Sequence, residues 1–399
     1  MNSADKNLKL SIADFNSRTL VSFLDMARWI AAAVVFTSHL RDPLFLGYPD
    51  IPIAERTWCV KAWYFLTGLH AEAVVVFFVL SGFLVGARGI LRVHSGKFNS
   101  GSYAIDRVSR LYVTFLPALF LSYIFDLIGS NYLQAVGFWD HSHPMIAQKI
   151  ISAPFQSMLS NGTIMGNVFM LQEIIVEPLG SNRPLWSISF EFWFYVAFLL
   201  AAESISLSAS RIRHAIFGIL LFILCLSLGS DFIIYMGLWL IGASLALLQV
   251  KRARHPIVAT SIFVSVLIGA RFINSQIDSS DILRNIKNYF VALSFAWLIA
   301  SLCGRHYLWL DRMSGFNSFL AGFSFSLYLL HFPIMLFVLA AMYSTGLFPT
   351  IATGFNPTDA TGIYIYIFVI AVIYLFAWFF SVITERNTGR VRHFFKNLS

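Results

Sequence analysis

Ten stretches of this chain are each long and apolar enough to cross a lipid bilayer as a helix, and no other feature limits its fold as much. They run over 18–40, 72–92, 108–129, 184–202, 212–229, 232–250, 256–274, 287–303, 320–344 and 361–384. About twenty apolar residues suffice for one crossing. The rest of the chain suits lipid as well. Of its 399 residues 58% are hydrophobic and 12% charged, roughly half the charged fraction of a soluble globular chain. Its 40 Phe, 15 Tyr and 10 Trp fit lipid contact and interfacial aromatic belts. The fold expected is all-α: a polytopic membrane bundle of about ten transmembrane helices, a single integral-membrane domain over residues 1–399. The seventh run is the weakest, with Arg271 near its end. The first is too long for a signal-peptide core and shows no clear small-residue cleavage site, so a retained helix is expected. No soluble domain is expected at either end.

An even number of spans puts both termini on one side, and the basic residues say which. With the N-terminus cytoplasmic, 19 of the 28 Lys and Arg fall in inside segments, 8 fall outside, and Arg28 lies within the first span. Lys and Arg are held on the cytoplasmic side, so both termini are expected there, with the larger loops 41–71 and 130–183 outside. The longer loop has short apolar patches such as 164–171 and is expected to hold an interfacial or re-entrant helix. Anionic lipids of the inner leaflet then account for the formal charge of +8. No nucleic-acid partner is called for.

The first run carries Asp25-Met-Ala-Arg28 and then His39. On a helix these two return to nearly the same face, about 16 Å apart along the axis. An ionisable side chain inside a bilayer costs on the order of 3 kcal/mol and asks for a partner or a function. The ordinary alternative is that Arg28 snorkels and His39 marks the headgroup level.

Four further constellations carry chemistry. In the second run, FFVLSGFLVGARG places Ser81-Gly82 at mid-depth, where small residues admit a neighbouring backbone or a ligand. Before the third, Arg107 and Arg110 share a face at the cytoplasmic mouth, where guanidinium groups can hold phosphates or merely anchor the span. The fourth opens Asn-Arg-Pro-Leu-Trp186-Ser187-Ile-Ser-Phe-Glu191, with Ser187 and Glu191 on one face. Glu191 needs a cation, a donor or a proton, and Arg28 is the obvious cation. In the ninth, Ser326-Leu-Tyr328-Leu-Leu-His331 puts a second histidine in a membrane helix, one turn after Tyr328; a plain interhelical hydrogen bond is its alternative role.

Other chemistries find no support. Cys59, Cys225 and Cys303 lack CxxC spacing and suggest no disulfide framework. There is no GxSxG, HExxH or Walker loop. His141 and His143 lack a third ligand and are expected in a solvated loop, so no metal is expected.

In this order, these motifs resemble the acyltransferase-3 family of integral membrane O-acyltransferases. The family's first helix carries an arginine and a histidine spaced as Arg28 and His39 are. FFVLSGFL at 77–84 is close to its consensus, and the basic entry to the third helix matches Arg107 and Arg110, although the following Pro117 sits later than usual. Leu185-Trp-Ser-Ile-Ser-Phe-Glu191 and Ser326-Leu-Tyr-Leu-Leu-His331 match two further blocks, so the resemblance covers essentially the whole chain.

The resemblance implies transfer of an acyl group, most often acetyl, from cytoplasmic acyl-CoA (acetyl-CoA) to a hydroxyl of a cell-surface glycan or glycolipid. Exopolysaccharide and lipopolysaccharide are typical acceptors, and the setting is the bacterial plasma (inner) membrane, crossed many times. Some members add a C-terminal hydrolase-like domain; none is read here, so acceptance is expected in or at the membrane. On this reading Arg107 and Arg110 hold the donor's phosphates, Arg28 holds or polarises the thioester end, and Glu191 orients Arg28. His39 is the expected base, since a histidine near its ordinary pKa is the usual group to take a sugar hydroxyl's proton. Ser81, Trp186, Ser187, Tyr328 and His331 are expected on the acceptor side, and a covalent relay through histidine or Ser81 stays open. A glycolipid or anion transporter or flippase is the rival from another class, without the matching broken helices that would point to it. The oligomeric state is not legible.

Overall fold

The structure is a computed structural model and describes residues 16–140, 142–144, 155–205, 210–247, 255–276 and 281–398. Among these the chain is helical, with two isolated bridges and no strand. In order the helices are α1 (Arg18–Leu44), α2 (Trp58–Leu66), α3 (His70–Ser81), α4 (Arg88–His94), α5 (Ser100–Tyr132), α6 (Asn161–Val168), α7 (Trp186–Ser204) and α8 (Arg211–Ser244). They continue with α9 (Pro256–Gln276), α10 (Asp281–Leu302), α11 (Leu308–Arg312), α12 (Ser314–Ala321), α13 (Ser324–Ser344), α14 (Ala360–Ile383) and α15 (Thr388–Leu398). A π-helical turn, Gly82–Ala87, joins α3 to α4.

Eight helical stretches among the described residues are long and apolar enough to span a membrane, against ten apolar runs. The fifth and sixth runs fall on one continuous assignment, α8, broken at Gly229, whose φ of 80° and ψ of −178° only glycine adopts easily. The break stands where the fifth run ends. The eighth run lies in α10, which is not among the eight; its first turns carry Asp281, Arg284 and Lys287. The weak seventh run forms α9 and does qualify. The third helix begins at Ser100, about two turns before the apolar run, because Asp106, Arg107 and Arg110 mask its start. Pro117 lies inside it. The 41–71 loop contains α2, capped by Thr57 Oγ1, which accepts from Val60 N.

The chain divides into two compact units: Met1–Ala31, Ala71–Arg107 and Phe190–Ala321 form the first, and Ala32–His70, Val108–Ser189 and Gly322–Ser399 the second.

In the first unit the end of α3 and the π turn lie backbone to backbone on the later half of α8. A Cβ at Gly82 would collide with the Trp239 carbonyl, and one at Gly242 with the Val79 carbonyl. Small residues permit this close approach in lipid, where van der Waals packing rather than hydrophobic burial holds helices together. The start of α1 is tied to α11 and α12: Thr19 Oγ1 donates to Asp311 (2.7 Å), Ser22 Oγ to the Leu310 carbonyl (2.7 Å), and Trp29 Nε1 to Asn317 (3.1 Å). A fully buried ion pair, Lys287 Nζ to Glu72 Oε1 at 2.7 Å, joins α10 to α3.

In the second unit α13 is the buried axis, with Leu329, Leu330, His331 and Met335 all at 0% exposure. Buried polar groups fix the segments around it. Asn182 Nδ2 donates to Ser122 Oγ (2.9 Å) and to the Leu329 carbonyl (2.8 Å), and Asp126 accepts from Trp139 Nε1 (3.0 Å) and Ser181 N (2.8 Å). The 130–183 segment holds the short helix α6. The expectation of a solvated His143 fails: it is 1% exposed, and its Nε2 bonds the Ile351 carbonyl at 3.0 Å. Phe138 packs beside it, ring centroids 4.9 Å apart. His141 lies outside the described residues.

Candidate active site

In the second unit His39 near the end of α1 meets His331 at the middle of α13. His39 Nδ1 and His331 Nε2 are 2.9 Å apart. His331 Nδ1 lies 2.8 Å from the Tyr328 carbonyl and 3.2 Å from that of Leu327. A carbonyl oxygen only accepts, so Nδ1 of His331 carries the proton and its Nε2 offers a lone pair. His39 Nδ1 must then be the donor to it. In the neutral ring this leaves the lone pair on His39 Nε2, which makes no hydrogen bond among the described residues. That is the tautomer a general base requires. His39 is only partly buried, while His331 is fully enclosed.

The surroundings hold this pair. The His70 ring, at the start of α3, lies 5.5 Å from that of His39, and Phe332 stands edge-on to it at 5.4 Å. Arg41, half a turn after His39, spends its donors on Asp42 (2.6 Å) and Thr67 Oγ1 (2.9 Å) and stacks on Tyr64. Among the described residues no group of three or more His, Cys, Asp or Glu is arranged to hold an ion. Ser187 Oγ and Tyr328 Oη bind each other at 2.6 Å, and both reach the Pro184 carbonyl, at 3.1 Å and 3.3 Å. These two side chains lock the start of α7 to α13 one turn before His331. Trp186, the first residue of α7, is half-buried.

The first unit holds a second polar chain. Trp239 Nε1 donates to Ser81 Oγ (3.2 Å), Ser81 Oγ and Tyr195 Oη are 3.1 Å apart, and Tyr195 Oη donates to Glu191 Oε1 (2.5 Å). Tyr195 has one hydroxyl proton, which goes to the carboxylate, so Ser81 donates to Tyr195. The Arg107 guanidinium lies 5.9 Å from the ring centroids of both Tyr103 and Tyr195. Its buried Nε has no hydrogen-bond acceptor among the described residues. Arg88 is an electrostatic neighbour of both Arg107 and Arg92, so like charges gather where the π turn ends. Like charges placed together at a membrane protein's surface suit a polyanion.

Two expectations change. Arg28 pairs with Asp25 three residues before it (3.4 Å), and Glu191 takes its proton donor from Tyr195, so the expected Arg28–Glu191 pair gives way to local partners. Arg110 already has a carboxylate partner. Its Nη2 binds Glu385 at 3.1 Å, and that carboxylate also accepts from Ser326 Oγ at 3.0 Å. Sequence reasoning missed His70, Tyr195, Trp239, Arg88 and Arg92. Tyr195 alone had a signal, standing one helical turn after Glu191.

A family model described as an acyltransferase domain matches residues 21–382, which takes in every residue of both clusters. No curated protein and no solved structure matches the chain.

Proposed function

The chain belongs to the acyltransferase-3 family, and on that premise we propose that it moves an acetyl group from cytoplasmic acetyl-CoA to a hydroxyl of a cell-surface glycan or glycolipid. What carries this reading is the His39–His331 contact, because it leaves His39 Nε2 as an unengaged base. In the reaction the acceptor oxygen attacks the thioester carbonyl carbon while His39 Nε2 takes its proton. The C–S bond then breaks, and the coenzyme A thiolate recovers that proton from the His39 imidazolium. His331 accepts from Nδ1 throughout and steadies the positive charge that forms on the ring, as an orienting group does for a catalytic imidazole. Arg107, with Arg88 and Arg92, takes the donor's phosphates; Arg110 has a smaller share because Glu385 neutralises it. Arg28 holds the thioester end.

This assignment puts both termini in the cytoplasm of a bacterium and residues 130–183 outside its plasma membrane, in line with the count of basic residues. In a Cys59→Ser background, an introduced Ser142→Cys should react with an impermeant maleimide on intact spheroplasts. Reaction only after permeabilisation would reverse the orientation. For activity, the purified chain with acetyl-CoA and a glycolipid extract from its host should release free thiol and lose that release in His39→Ala. Thiol release in His39→Ala equal to that of the unaltered chain would rule out the mechanism.

A further inference from the structure

The last helix has a face that nothing among the described residues covers. In α15 the residues Val391, Phe394 and Phe395 fall on one side, at offsets of three and four. Phe394 is 61% exposed and Phe395 50%. The other side carries Arg390, Arg392, His393 and Lys396, and residues 386–399 contain four Lys or Arg and no acid. A basic amphipathic helix with bare aromatic residues has the composition of an interfacial helix.

Its place in the chain says what covers that face. The 24 residues of α14 reach about 36 Å, enough for a hydrocarbon core of about 30 Å. The elbow that follows is built rather than loose. Asn387 Nδ2 donates to the Val382 and Ile383 carbonyls, both at 3.1 Å, closing the end of α14. The buried Glu385 accepts from Arg110 Nη2, Ser326 Oγ and Ser326 N, at 3.1, 3.0 and 3.3 Å. Thr388 Oγ1 donates to the Glu385 carbonyl at 2.8 Å and begins α15. The helix therefore starts at the level where the last span leaves the hydrocarbon, and it starts there in a fixed direction.

We propose that α15 lies in the headgroup layer of the leaflet at which α14 ends, with Phe394 and Phe395 among the upper acyl carbons and its basic side on anionic phospholipid. Each Lys or Arg near such a surface strengthens the attraction, and the effect falls off within a Debye length. This role is independent of acyl transfer.

Hydrogen–deuterium exchange of the full chain in nanodiscs tests it without altering the protein. Amides of 388–398 should exchange at least tenfold more slowly in phosphatidylglycerol than in phosphatidylcholine, with α14 peptides as an unchanged reference. Arg390→Gln, Arg392→Gln and Lys396→Gln together should abolish the difference between lipids. Phe394→Asp with Phe395→Asp should raise exchange in both. Equal exchange in the two lipids would overturn the proposal, as would protection that follows protein concentration instead of lipid charge, which would mean a second copy covers the face.

Discussion

Replacing His331 by phenylalanine keeps a ring in the same enclosed site and removes the one acceptor that fixes His39. His39 Nδ1–H then loses its 2.9 Å partner. Two outcomes are open to the ring, and both are costly. Either the proton stays and a buried donor goes unpaired, at about 1–3 kcal/mol, or it moves to Nε2 and the base is lost. With no imidazole behind it, the base proposed at His39 also loses the acceptor that would steady its imidazolium as a hydroxyl gives up its proton. Loss of such support is worth roughly 100-fold or more in turnover, about 2.7 kcal/mol of transition-state stabilisation. The arginines proposed to hold the donor are untouched, so the fall should appear in kcat with little change in the KM for acetyl-CoA, the proposed donor. His331→Gln should suffer less, because an amide can donate toward the Tyr328 carbonyl and accept from His39. Thiol release in nanodiscs, followed with both variants at matched expression, decides it. Turnover of His331→Phe within threefold of the unaltered chain would refute the tautomer argument.

Three other perturbations test the frame around the site. Glu72→Gln should cost about 3–5 kcal/mol, since it removes the countercharge of the buried Lys287 ammonium; adding Lys287→Met should restore most of the thermal midpoint. Gly82→Ala should prevent accumulation of folded protein, measured by detergent size-exclusion profile, because the new methyl meets a backbone carbonyl that cannot swing aside. Burial holds the pKa of His143 below its ordinary 6.5, against a smaller upward pull from the Ile351 carbonyl. The unfolded chain therefore takes up a proton that the folded one refuses as pH falls below about 6.5. The stability from a neutral, buried His143 is full above that pH and is lost on acidification, by at most about 1.4 kcal/mol per pH unit. Thermal midpoints between pH 7 and 5 should show it, and His143→Gln should flatten the slope.

How much of this could be read from the sequence differs between fold and site. Apolar runs locate helices well because lipid demands them, and even the break at Gly229 falls where one run ends. Helix ends rich in charge were lost to the same criterion, which is why Ser100–Arg107 was not read as part of α5. The nine residues of α2 are too few to show a period. For the site, the right residue types were legible, but their partners were not. His39 and His331 are 292 positions apart, and nothing in one predicts the other's ring nitrogen. Arg28 and Glu191 were matched because their charges are opposite. Each instead found a neighbour within one helical turn, Asp25 and Tyr195, which helix geometry supplies without any fold at all.

The π turn at Gly82–Ala87 bears on what lengths this chain can tolerate. A π turn closes through i to i+5 contacts, so it stores one residue more than an α turn would. Deleting a single residue there would let the stretch revert to an ordinary α turn, with the helix beyond it in nearly the same phase. The same deletion in the α turns of α3 or α4 would rotate everything beyond by about 100°. The π turn is therefore where this helix can lose a residue and still keep Arg88 and Arg92 aligned with Ser81.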